Sequence, residues 1–271
     1  MGAKDEIIDT FTPAYGGFKP DVSVLMPVHN EVECIEKVVT EFYGELSRRL
    51  VTEIVCCEDG STDGTKDVLR ALAQKLPMKV ILGAERKGYS KAIIDGLKLA
   101  SGEYVLFVDS DGQHLPQDFW RLYEHRLTYD VVSGCRVGRS DPIHRRIMSS
   151  VFQRLARILF KLPRFRDVTG PYKLVRTDVA KRVSEEYKYM VESFWTEFTI
   201  RAYKKGYRIL EVPVIHRSRI GGDTRVYKPT KIPKIVLRQL RDLLKLWFEL
   251  RRLAASSHCH HFVLNFEILW A

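Results

Sequence analysis

Residues 104–114, YVLFVDSDGQH, constrain the fold of this chain more than any other stretch. Residues 104–108 are uninterrupted apolar, β-branched or aromatic, the pattern of a central parallel strand buried on both faces. The run ends in two carboxylates one residue apart, Asp109 and Asp111, with Gln113 and His114 close behind. Open α/β sheets bind ligands at the carboxyl ends of their strands. Carboxylate and amide oxygens there suit a hard cation such as Mg²⁺ or Mn²⁺. Asp, Ser and Gly are also ordinary turn formers, so these residues alone equally describe an acidic turn after a strand.

The flanking sequence repeats the theme. Strands are predicted at 22–27, with Pro27 ending the strand, and at 53–57 and 79–82, with helices at 30–49, to about 76, and at 90–100. Asn30 is the expected N-cap of the first helix, which carries Val32, Ile35, Val39, Phe42 and Leu46 on one face. The second strand runs into an acidic, turn-rich loop at 58–65, in the same position relative to its strand as Asp109 and Asp111 to theirs. This βαβαβαβ alternation predicts a Rossmann-like, mostly parallel sheet flanked by helices, with right-handed crossovers. Further on, helices are expected at 117–127, 147–160 and 193–205, and strands at 130–133, 172–175 and 207–216. The 147–160 segment is basic and amphipathic.

Residues 231–253 form the longest periodic segment, with Ile232, Val236, Leu240, Leu243, Trp247 and Leu250 on one stripe and basic residues outnumbering Asp242 and Glu249. That composition fits either a helix lying in a membrane interface or one packed on the domain or a partner subunit. The chain thus divides into an irregular lead-in (1–20), an α/β domain (21–228), an amphipathic helix (229–256) and a patternless tail (257–271). His258, His260 and His261 lie in that tail, with no partner ligands upstream.

A net charge of +10 and a pI near 9.3 call for an anionic partner. Charge alone would suit a nucleic-acid-binding module, but there is no aromatic-basic RNA motif or recognition helix and an acidic pair without metal would repel phosphate, so no nucleic acid is expected. Five cysteines without CxxC spacing indicate neither a disulfide framework nor a zinc site, which favours a reducing cytosol. No signal-peptide core and no run of about 18 apolar residues is present, so a soluble or peripheral protein is expected.

The motifs together resemble the inverting nucleotide-sugar glycosyltransferases of the GT-A fold, and within them the dolichol-phosphate mannose synthase group. PVHNE at 27–31, EDGSTDGT at 58–65 and DSDGQH at 109–114 match the group's strand-end motifs. RRIMS at 145–149 resembles its acceptor loop, DVTG at 167–170 its next landmark, and Glu197 the acidic position that follows. Arg219-x-x-Gly222-x-Thr224-Arg225 resembles its closing motif. The likeness spans about residues 20–228. Glu58 replaces an Asp, Pro171-Tyr172 replaces a glycine-aromatic pair, and the C-terminal membrane helices of many members have no counterpart here.

The resemblance implies a donor site in which Asp111 and Gln113 hold Mg²⁺ or Mn²⁺ with the diphosphate, and Asp109 contacts ribose or sugar. Pro27, Glu31, Asp59 and Lys87 would line the nucleotide-sugar pocket, and Arg219 and Arg225 would meet phosphate. It implies transfer of a hexose to a polyprenyl or dolichyl phosphate, from GDP-mannose ahead of UDP-glucose, at the cytoplasmic face of a membrane. A phosphate monoester is already ionised and needs cations rather than a general base. Arg136, Arg145 and Ser149 are the residues expected to supply that site. A soluble transferase acting on a sugar or protein hydroxyl is the alternative.

Overall fold

The computed structural model describes residues 4–137, 143–220 and 232–267, excepting the side chains of 143–147, 232, 233 and 254–267. Its eight strands are β1 (Glu6–Asp9), β2 (Val22–Val28), β3 (Thr52–Glu58), β4 (Met78–Leu82), β5 (Tyr104–Phe107), β6 (Val131–Val137), β7 (Lys173–Arg176) and β8 (Ile209–Ile215). They form one sheet in the order β1-β4-β3-β2-β5-β7-β6-β8. The continuous apolar runs become β2 to β5, buried along their whole length. Alternate side chains face opposite ways, as the two-residue period of a strand requires. The helices between these strands are α1 (Phe11–Ala14), α2 (Ile35–Leu46), α3 (Thr65–Ala73) and α4 (Tyr89–Leu99); Val24 and Met26 join one core beneath α2, while Leu25 joins a second core beneath α4.

The position of the cleft follows from strand order. β4, β3 and β2 are laid down side by side, and the chain then crosses to place β5 on the other flank of β2. Such a reversal opens a crevice at the strands' carboxyl ends. The β2–β5 pairing stops at Leu25 opposite Phe107, with one further bond from Val108 N–H to Leu25 O. Pro27 sits just beyond that point but inside β2, not at its end. Its missing N–H would have faced the gap, and its carbonyl accepts the Ser110 hydroxyl at 2.9 Å.

Past β5 the sheet is mixed. β7 runs antiparallel to both β5 and β6, whereas β6 and β8 are parallel. Residues 6–9, expected to be irregular, form an antiparallel edge strand on β4. Asn30 does not cap α2. It adopts a left-handed conformation (φ 54°) and its side-chain oxygen accepts the Thr62 N–H at 2.8 Å, while Cys34 occupies the N-cap. The expected 117–127 helix shrinks to a 3₁₀ turn (Pro116–Asp118) and α5 (Phe119–Tyr123). α7 (Thr177–Glu185) was not expected; it buries Val179, Ala180 and Val183.

α6 (Ile143–Phe160), α8 (Phe194–Lys204) and α9 (Ile232–Glu267) build a third core. The stripe read from the sequence turns inward here. Leu243 and the neighbouring Leu246 are fully buried, Trp247 and Leu250 pack against them, and the Trp247 indole donates to Leu159 O at 3.0 Å. Glu249 meets the buried Arg201 of α8 at 3.4 Å, and Arg238 pairs with Glu192 at 2.7 Å. α9 also carries its backbone through part of the patternless tail, to Glu267. Emptying a fully buried leucine costs about 2–5 kcal/mol, whereas an exposed truncation stays within roughly 0.5 kcal/mol. Leu243→Ala is therefore expected to lower the urea midpoint clearly, and Leu244→Ala, one residue on but exposed, to leave it nearly unchanged.

Candidate active site

The chain leaves β5 into a turn that delivers Asp109 and Asp111 to the crevice. Asp109 accepts the Tyr89 hydroxyl at 2.8 Å, and that hydroxyl in turn accepts the Trp195 indole N–H at 2.8 Å. Tyr89 opens α4 and is aimed by Gly88, whose φ of 96° an L side chain rarely adopts. Asp111 accepts the Gln113 N–H at 3.1 Å and lies 3.6 Å from a guanidinium nitrogen of Arg219. The other end of Arg219 makes a close ion pair with Glu31.

Arg219 belongs to a strap, residues 216–220, that follows β8 and is laced to the acidic turn. Arg217 N–H donates to Gln113 O at 3.0 Å, Ile220 N–H donates to Asp111 O at 3.2 Å, and Gln113 donates its amide to Arg217 O at 3.3 Å. Gly112 (φ 74°) makes this approach feasible, since a Cβ there would collide with Ile220.

The electrostatics are those of crowded acids. Burial, reinforced by the neighbouring Asp111 charge, pushes the Asp109 carboxyl up to about 7, against the Tyr89 hydrogen bond. Burial also raises Asp111, opposed by the Gln113 N–H and Arg219. A hard cation would relieve this crowding, and the oxygen-rich set of Asp111 with Gln113 suits one. Among the described residues no group of three or more His, Cys, Asp or Glu could hold a metal unaided.

At the end of β3, Glu58 and Asp59 use their carboxylates on the backbone. Glu58 accepts the N–H groups of Ser61 and Gly83, and Asp59 holds the Gly88 N–H at 2.9 Å together with that of Lys87. Asp59 thereby shapes the loop that presents Tyr89. The Lys87 ammonium is paired with Asp5 of the N-terminal segment. Pro27 and Glu31 stand at the crevice. Cys34 beneath Glu31 is pushed up to about 12 by burial and the Glu31 hydrogen bond, so its thiol is inert.

On β6, Arg136 makes two bonds to the buried Asp167, at 2.6 and 2.9 Å, and one to Thr169. Its guanidinium is thus anchored to the 167–170 motif. Ser149 on α6 accepts the Gln153 amide at 3.1 Å. The Arg145 side chain and all of Arg225 lie outside the described residues. His114 is buried, stacked on Tyr172 at 4.7 Å and held neutral at about 3 by burial and by His216. Glu197 stands away from the turn: it is fully buried, caps the N–H groups of Lys188, Tyr189 and Met190, and pairs with Arg201. Tyr89 and Trp195 are the residues that the sequence did not disclose. Only the placement of Gly88-Tyr89 after a strand, like the other motifs, hinted at them.

An acidic turn at the switch point of a Rossmann-like sheet, with helices on both faces, is the GT-A architecture, and the protein is a glycosyltransferase. It belongs to glycosyl transferase family 2, whose model matches residues 23–184. A dolichol-phosphate mannosyltransferase of Pyrococcus furiosus is 30% identical over 245 residues, covering 87% of this chain and 67% of the relative. The enzyme of the same name from Saccharomyces cerevisiae is 29% identical over 148 residues, covering 51% of this chain and 55% of its own. Among solved structures, glucosyl-3-phosphoglycerate synthase of Mycobacterium tuberculosis, in complex with Mn²⁺, UDP and glucosyl-3-phosphoglycerate, superposes with a TM-score of 0.62 at 19% identity. That match covers 87% of this chain and 82% of the other, and it shows a common fold.

With its carboxyl near 7 against an ordinary value of 3.8, Asp109 binds more proton in the folded protein than in the unfolded chain across that window. The stability this contributes is full at the acid end and is lost as pH rises through about 7. In chelator, raising the pH from about 5 to about 8 should lower the melting temperature through this residue. Asp109→Asn should flatten that part of the profile in calorimetry.

Proposed function

We propose that the protein transfers a hexose, with mannose favoured, from a nucleotide diphosphate sugar to a polyprenyl or dolichyl phosphate with inversion. GDP-mannose is the favoured donor and UDP-glucose the second. The names of the relatives support this reading, as do the motifs at 109–114 and 145–149. One observation carries it furthest: each carboxylate of the crevice already has a donor or a cation on it. Tyr89 holds Asp109, Gln113 and Arg219 hold Asp111, and Arg219 holds Glu31. Such a site is poor in free base and suits a nucleophile that arrives ionised, as a phosphate monoester does.

In this reading Asp111 and Gln113 hold Mg²⁺ or Mn²⁺, which when bound supplies Lewis-acid stabilisation of the departing diphosphate. Arg219 and Arg225 add guanidinium contacts to the same phosphates. Asp109, fixed by Tyr89, contacts the ribose or sugar, while Pro27, Glu31, Asp59 and Lys87 frame the nucleoside. Arg145 and Ser149 take the acceptor phosphate, and Arg136 steadies their surroundings through Asp167. Catalysis then consists mainly of positioning and charge stabilisation.

The second reading keeps the fold and changes the acceptor to a sugar or protein hydroxyl, which would need a side-chain general base within hydrogen-bond reach. Acceptors separate the two. Mass spectrometry after incubation with mixed sugar nucleotides should show product on polyprenyl phosphate and little on the corresponding polyprenol. Equal use of a plain alcohol would select the second reading. In either case Asp111→Asn, or EDTA, should lower turnover at least about tenfold, on the order of 1.4 kcal/mol in the barrier.

A further inference from the structure

The first turn of α4 is braced so that one phenol stands still. Gly88, in its left-handed conformation, has its N–H on the Asp59 carboxylate, so the acidic loop after β3 sets where Tyr89 begins. Ser90, next along, accepts the Tyr187 hydroxyl at 2.9 Å and donates to Val191 O at 3.4 Å. From α8 the Trp195 indole N–H reaches the Tyr89 hydroxyl at 2.8 Å. Trp195 is only 4% exposed, set edge-on to Phe107 of β5 at 4.8 Å, with the buried Lys173 ammonium 5.8 Å from its ring. Tyr89 is 38% exposed and is the open member of this chain of contacts.

A phenol hydroxyl has one proton to give and two lone pairs to accept with. The proton goes to Asp109 and one lone pair takes the Trp195 N–H, so what remains at the oxygen is a single acceptor. Asp109 beside it also offers acceptor oxygens. An ionised phosphate brings only acceptors and gains nothing at such a corner. The groups of a nucleotide sugar that donate are the hydroxyls of its ribose and hexose and the N–H groups of its base. Placement separates these. Pro27, Glu31 and Asp59, which frame the nucleoside in the proposed reading, come from the chain before β5, and Trp195 comes from the chain after it. A hexose that joins nucleotide to acceptor lies between these two halves, where Tyr89 and Asp109 stand.

We propose that the Tyr89 hydroxyl is a specificity-determining group, accepting a hydrogen bond from a hydroxyl of the donor hexose side by side with Asp109, and that Trp195 is its positioning residue. This contact rests on the donor-site reading proposed for Asp109 and Asp111. Because the phenol is fixed before the sugar arrives, little ordering remains to be done on binding. A site that accepts a particular hydroxyl rejects sugars lacking it, since its own polar groups are then left unpaired.

Tyr89→Phe keeps the ring and removes only the oxygen. Calorimetric titration with GDP and GDP-mannose, and with UDP and UDP-glucose, gives the contribution of the hexose as the ratio of affinities within each pair. For the pair that wild type binds, Tyr89→Phe should lower that ratio at least about threefold and leave the nucleoside diphosphate affinity within about twofold. The 2-, 3-, 4- and 6-deoxy derivatives of the same donor locate the hydroxyl. At one position deoxygenation should cost wild type at least about fivefold in kcat/KM and cost Tyr89→Phe under about twofold, because one hydrogen bond is lost only once. Trp195→Phe should weaken the same preference, and added to Tyr89→Phe should cost little more. The acceptor KM should stay at its wild-type value, which a general distortion of the cleft would not spare. Equal losses of GDP and GDP-mannose affinity would put the hydroxyl on the ribose side and overturn the proposal. So would deoxygenation losses undiminished at every position in Tyr89→Phe. If wild type bound neither sugar nucleotide, the donor-site reading would fall and this contact with it; binding unchanged by Tyr89→Phe would remove the contact alone.

Discussion

Three carboxylates meet at the end of β5, and their mutual repulsion is the constraint the surrounding structure answers. Asp109, Asp111 and Glu31 stand together in the crevice, and burial there disfavours the charged forms of the two aspartates. The fold compensates from three directions: α4 supplies the Tyr89 hydroxyl, the turn's own backbone supplies the Gln113 N–H, and the strap beyond β8 supplies Arg219. Acid at a strand end is affordable only where other elements arrive with donors. The deviation of β5 from β2 beyond Leu25 makes the space for them.

A second buried charge serves a different purpose. Arg201, almost wholly buried, joins Glu197 of its own helix to Glu249 of α9, while Glu197 caps three consecutive backbone N–H groups of the loop before α8. That loop also touches α4 next to Tyr89, through the Ser90 hydroxyl and Val191 O at 3.4 Å. The same polar network therefore fixes the helix on the outer face and the approach to the acidic turn. Removing one partner of such a buried pair leaves an uncompensated charge, which is far costlier than never having built the pair.

Much of this was legible in the sequence, for physical reasons that also mark its limits. The mainly apolar runs read at 22–27, 53–57 and 104–108 carried the pattern of buried strands, and the acids after the last two pointed to the cleft. Strand direction was not legible: nothing in KLVR at 173–176 says that it runs against β5. Periodicity found the amphipathic helix, but α9 carries two apolar lines, and a period reports a face without reporting what covers it. The resemblance marked Glu197 only as an acidic position, and the sequence could not say that this carboxylate caps backbone N–H groups and pairs with Arg201. Tyr89 and Trp195 were invisible because their alliance with Asp109 joins three segments distant in sequence.

The strap that carries Arg219 is stapled to the acidic turn on both sides of that residue, by the backbone N–H groups of Arg217 and Ile220. Its main chain is therefore held in register with Asp111 whichever oxygens the guanidinium contacts. Exchange of Glu31 for an incoming anion needs only torsions of one long side chain, with no loop to unzip. Motions of that kind belong to the fastest class in a protein, picoseconds to nanoseconds when unhindered, against microseconds or longer for lids. The main chain at Arg219 is thus fixed by the same turn that carries the carboxylates, so any freedom of this cation lies in its side chain alone.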